Sequence, residues 1–210
     1  TGSRVRVHGI KIDDKIALAS PEKESFEVIK AKEIGHSTRR VAVILFNFQN
    51  DNRQPFTQDT IRNITFTGSK SINSYFKEVS FGIRNLVGYN RQDGDVYGWY
   101  TIPYNNDSNS CLSPYYTITG NWSAAADALA AADGFSAANY EHVIYTFPKV
   151  CSNWAGLGMV GGKNTWINGA FYVHNVAHEL GHNFGSLHAS SYRCYAANGS
   201  STPVSANCTS

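Results

Sequence analysis

Charge is scarce in this 210-residue sequence: 16% of residues are Asp, Glu, Lys or Arg, and the formal net charge is only +2. That excludes the strongly basic surface a nucleic-acid partner needs, and no Lys/Arg cluster marks an anionic membrane surface. Disorder is excluded as well, because 42% of residues are hydrophobic and 13% aromatic. No apolar run approaches the ~20 residues that span a bilayer, so no membrane span is expected. The opening TGSRVRVHGI has no apolar signal core, so any secretion signal is expected to be removed or to lie outside the chain. Methionine occurs once, as Met159, and cysteine four times, as Cys111, Cys151, Cys194 and Cys208. None of the four has the CxxC spacing of a zinc knuckle or redox pair, so two disulfides are expected. Cys194–Cys208 would close a short Gly/Ser/Asn-rich loop and leave Cys111 for Cys151, but spacing alone does not fix the pairing. This cysteine usage predicts an oxidising, extracellular setting.

What is present reads as one compact domain with a short extension. Over residues 1–33, SRVRVHGIKI alternates, and KIALAS and PEKESFEVIKAKE follow. This predicts a hairpin and a further strand, either a β-rich N-terminal extension or the tail of a preceding domain. The main domain is placed at 34–210. There, VAVILFNF (41–48) predicts a strand buried on both faces. SKSINSYFKEVSFG predicts a helix with Ile72, Tyr75, Phe76 and Val79 at helical spacing, capped by Ser69 or Ser71 and followed by Gly82. DVYGWYTIPY (95–104) and HVIYTF (142–147) predict strands. NWSAAADALAAADG predicts a helix capped by Ser123 and ended by Gly134. WAGLGMVGGKNTWING reads as an exposed edge strand and loop, and AFYVHNVAHELGHNF as one helix ending at Gly185. The order of elements predicts an α+β (mixed α/β) domain, a sheet layered with helices.

The chemistry concentrates in HELGHNFGSLH, residues 178–188. On a helix, His178 and His182 lie one turn apart on one face, so both imidazoles can reach one metal ion. Glu179, adjacent around the helix, is placed to hydrogen-bond a water at the metal rather than to bind the metal. Gly185 permits a sharp turn that lets His188 swing back as a third ligand. Three histidines leave a fourth position open, the arrangement of catalytic rather than structural zinc. The chance of this pattern arising from the composition is on the order of 10⁻⁵. His174 shares the face of His178, but as a fourth ligand it would close the water position. It reads as a supporting or surface residue. His8, His36 and His142 lack ligand spacing.

HELGHNFGSLH matches the HExxHxxGxxH consensus of the metzincin zinc metallopeptidases. VILFNFQND, SINSYFKEVSFG, DVYGWYTIPY, WAGLGMVGG and TWINGAF, in that order, further resemble the gametolysin (autolysin) family, over roughly residues 38–210. The resemblance implies a metzincin-like fold, with a twisted mixed sheet, an active-site helix below it and an edge strand along the cleft. It implies that Gly156, Leu157, Gly158 and Met159, within residues 156–162, bind an extended polypeptide substrate. It also implies one zinc on His178, His182 and His188, with Glu179 as the general base of peptide hydrolysis. The expected protein is therefore a secreted, monomeric zinc endopeptidase acting on extracellular proteins, with matrix or cell-wall glycoproteins as candidate substrates. The alternative is a non-catalytic, zinc-stabilised binding or adhesion module on the same fold. Metzincins carry a methionine turn after the third histidine, and no methionine follows His188. That predicts a domain lacking its Met-turn and C-terminal subdomain.

Overall fold

The computed structural model describes residues 4–7, 9–12, 15–18, 26–30, 37–106, 115–188, 194–195 and 201–202. The chain divides into two compact units, Thr1–Ser37 and Thr38–Ser210. In the first, β1 (Arg4–Val7) pairs antiparallel with β4 (Phe26–Lys30), and β2 (Gly9–Ile12) pairs antiparallel with β3 (Lys15–Leu18). His8, His36, Cys111 and Cys208 lie outside the described residues.

The second unit is built on β5 (Ser37–Phe48), whose last eight residues are all buried. Such a run needs cover on both faces, and it receives it. β5 pairs in parallel with β8 (His142–Phe147) on one side and with β7 (Asp95–Ile102) on the other, where β6 (Arg84–Val87) is also its neighbour. β8 pairs in parallel with β10 (Asn164–Asn168), and β10 pairs antiparallel with β9 (Gly156–Gly158), the terminal strand. The result is a mixed sheet with one reversed strand at its edge.

Alternation along the strands divides the apolar side chains between two cores. Val41, Val43, Leu45, Ile144 and Ile167 face α1 (Gln58–Arg62), α2 (Ile72–Val79) and α4 (Val173–Asn183) through Ile61, Ile72, Phe76, Val176 and Leu180. Ala42, Ile44, Phe46, Phe48, Val143, Tyr145 and Trp166 face α3 (Tyr115–Ala130) through Trp122, Ala126 and Ala130. Two short strands, β11 (Cys194–Tyr195) and β12 (Ser201–Thr202), pair antiparallel. Cys151 and Cys194 are buried, and each is part of a disulfide.

Several local expectations change. Ser71, not Ser69, caps α2, accepting from the Ser74 N–H. On that helix Tyr75 and Val79 are 44% and 52% exposed, so Ile72 and Phe76 carry its buried face. The third helix begins at Tyr115, and Ser123 is not its cap. Ser123 is buried in mid-helix, donating from its hydroxyl to the Thr119 carbonyl at 2.8 Å and accepting from Trp166 Nε1 at 2.7 Å. Asn164–Asn168 is an internal strand rather than loop. Phe171 is fully buried but precedes α4, whose N-cap is Tyr172.

Candidate active site

The helix α4 carries both faces of its work in one eleven-residue segment. Val176, Ala177 and Leu180 pack into the core, while His178 on the opposite side stays exposed. The helix closes with the Phe184 N–H on the Leu180 carbonyl, and Gly185 follows at φ +92°, a left-handed conformation that suits glycine. The reversal places His188 back over the helix. His178 Nε2 lies 3.1 Å from His188 Nε2, and His182 Nε2 lies 3.2 Å from the same atom. Three ligand atoms, one from each of His178, His182 and His188, all fall within 4.8 Å of one another.

The chemistry of this donor set suits a zinc ion, and two of its three spacings match tetrahedral coordination. Nitrogens about 2.0–2.1 Å from such an ion stand about 3.3 Å apart, close to the two short spacings here. The tautomer of His182 is also fixed in the useful sense. Its Nδ1 is 2.7 Å from the Ser186 carbonyl, which can only accept, so Nδ1 carries the proton and Nε2 keeps its lone pair. His174 is exposed and stacks on Tyr172, with ring centroids 5.8 Å apart.

Glu179 sits beside this triad and under the edge strand. Burial pushes its carboxyl above the ordinary glutamate range, while the His182 and His188 imidazoles and a hydrogen bond from the Gly158 backbone pull it back. The glycines of β9 explain the closeness. A Cβ on Gly156 would lie 2.6 Å from Glu179 Cγ, and one on Gly158 would lie 2.2 Å from the Glu179 carbonyl oxygen. Sequence reading ties these glycines to a substrate. The structure shows that they let the edge strand rest on α4. Leu157, between them, points to the other face and packs against the α3-side core. Met159 lies just beyond the strand and is exposed.

A further residue, missed from the sequence, locks this arrangement. Asn183 is 4% exposed and follows His182 directly. Its Nδ2 donates to the Met159 carbonyl at 2.9 Å and the Asn164 carbonyl at 3.0 Å, and its Oδ1 accepts from the Thr165 hydroxyl at 2.8 Å. Gly161 N–H donates to the His182 carbonyl at 2.8 Å. The connection from β9 to β10 is thereby tied to the end of the histidine-bearing helix. At the other end of β9, Asn168 does the equivalent work. It accepts from the Val150 and Cys151 N–H groups and donates to the Cys151 and Trp154 carbonyls. Nothing local marks either asparagine, because their partners lie 14 to 24 residues away.

The arrangement offers three imidazoles that could hold a metal, a carboxylate beside them and the terminal strand of the sheet above. No curated protein matches the sequence closely enough to be named as a relative. The sequence model of the family described as gametolysin peptidase M11 matches residues 40–201, most of the chain and the whole of this site. The chain belongs to the gametolysin family of metallopeptidases.

Proposed function

We propose that the protein is a secreted zinc endopeptidase that cleaves extended segments of extracellular proteins, matrix or cell-wall glycoproteins among them. The observation that carries this reading is the convergence of His178, His182 and Glu179, on one helix beneath an edge strand, with His188 from the turn that follows it. We assign residues 34–210 to a metzincin-type catalytic domain and 1–33 to an extension. The three histidines hold the metal through their ring nitrogens. When bound there, zinc supplies Lewis acidity, polarising the scissile carbonyl and making water a better acid. Glu179 takes the proton from the attacking water and returns one to the leaving amine, a role helped by burial that raises its basicity.

The outer edge of β9 provides the substrate track. As the terminal strand it can take an added peptide strand, and Gly156–Gly158 sit directly over the catalytic carboxylate. Disulfide-bonded Cys151 and Cys194 support an extracellular setting. The test is cleavage of an unfolded, quenched fluorescent protein before chelation, after chelation and after zinc is restored. Cleavage that is lost, then recovered with zinc, and absent throughout from Glu179→Ala is expected. Cleavage that survives both chelation and this substitution would remove the proposal.

A further inference from the structure

Three neighbouring strands each bring one nitrogen-rich side chain to the margin of the α4 side of the sheet. In sheet order these are Arg84 from β6, Arg39 from β5 and His142 from β8. Each stands two residues before a core residue of that face, respectively Leu86, Val41 and Ile144, and the two-residue period puts them on the same side. They line a cavity of 390 Å³ together with Phe184, Asn183, Lys163 and Glu141. The Arg84 guanidinium lies 4.4 Å from the centre of the Phe184 ring, and the His142 ring meets the same ring edge-on at 4.9 Å.

Three nitrogens of the cavity lack an acceptor, although the Glu141 carboxylate is also in its lining. Arg39 Nε, Arg84 Nη1 and His142 Nδ1 are buried and have no hydrogen-bond partner among the described residues, and His142 is only 8% exposed. The other charged groups are already engaged. Glu141 Oε2 accepts from the Arg40 backbone N–H at 2.7 Å and from Arg40 Nε at 3.4 Å, and Lys163 Nζ donates to the Ala137 carbonyl. Burial and then Arg39 push the Arg84 guanidinium down, and the same two causes hold His142 at about 4, so the imidazole is neutral near pH 7. Two like charges and three unmet nitrogens share a small space, and an anion would relieve both costs.

We propose that this cavity binds a small tetrahedral oxyanion, inorganic phosphate or sulfate, with Arg39 and Arg84 as its charged donors and His142 Nδ1–H as a third. A tetrahedral ion offers enough acceptor oxygens for all three, and guanidinium donors match that geometry. The bound ion would brace Phe184, two residues beyond His182, and so the end of α4. This inference does not rest on the peptidase reading.

The test follows thermal unfolding and calorimetric binding of the full chain with sodium phosphate or sodium sulfate against sodium chloride at matched ionic strength. A saturable rise in the unfolding midpoint with either oxyanion is expected. Arg39→Gln and Arg84→Gln should each weaken binding about tenfold or more, and together abolish it. Glu141→Gln, which removes a lining carboxylate, should tighten it. A rise that never saturates, or is equal in wild type and the double variant, is the general salting effect of these ions and overturns the site. If the double variant does not fold, Arg39→Lys keeps the charge but loses Nε. Weaker calorimetric binding of phosphate then supports the site, and unchanged binding overturns it.

Discussion

On the α3 side of the sheet, Phe46, Phe48, Trp122 and Phe147 meet in edge-on and stacked pairs, with centroids 4.9 to 6.3 Å apart. Buried polar groups there include close pairs, such as Trp166 on Ser123 and Tyr145 on Asp127. On the α4 side the core is mainly aliphatic, and its margins carry the histidine triad, a half-buried glutamate and two partly buried arginines. One face spends its side chains on packing. The other holds its reactive groups on a helix and the turn after it, secured by packing and by the Asn183 hydrogen bonds. Substitutions on the α3 side should therefore reduce stability without touching the chemistry, and substitutions of Glu179 or the triad on the α4 side should do the reverse.

The strongest contrast is expected at His182. His182→Ala removes a ring nitrogen from the triad, so the chain should lose bound zinc on dialysis and show only background cleavage, measured by metal analysis and peptide assay. Trp122→Ala probes the opposite face. It should cost about 3–5 kcal/mol in urea unfolding, with zinc content and the rate per folded molecule unchanged.

Next in size is a pH effect at the α4-side margin. His142 titrates at about 4 in the folded protein, against 6.5 for the ordinary group. Below the unfolded value the unfolded chain binds a proton that the folded chain refuses, so stability is full above about pH 6.5 and falls as the pH drops towards 4. The loss should reach up to about 3 kcal/mol. His142→Phe should remove this part of the slope when the two pH profiles are subtracted.

The smallest of the set concerns Asn183. Asn183→Leu leaves the Met159 and Asn164 carbonyls and the Thr165 hydroxyl without this partner, for an expected stability loss of about 2 kcal/mol. Because the edge strand loses its tether, kcat/KM should drop about tenfold, mainly through KM.

Much of this was legible in the chain because it is local. The buried run 41–48, a serine cap at 69 or 71, the strands beginning at Asp95 and His142, and the His178–His182–Gly185–His188 spacing all follow from short-range rules. Failures came where distant partners decide. Ser123 resembles a cap until Trp166, 43 residues away, is seen to need its oxygen. The third helix starts early despite Gly120, whose missing Cβ faces open space, so a helix breaker by propensity sits there without a packing reason. β10 hides because Thr165 and Asn168 are polar, yet both are buried and satisfied by groups from other segments. Arg39, Arg84 and His142 span more than a hundred residues of chain and meet only through the strand order.

The decisive experiment measures zinc content, unfolding midpoint and cleavage rate on one sample of Glu179→Gln. Cleavage should fall about 10²–10⁴-fold while zinc content and midpoint stay at wild-type values. Cleavage near the wild-type rate, or its loss only together with zinc and stability, would contradict the role given to Glu179 and the division between the two faces.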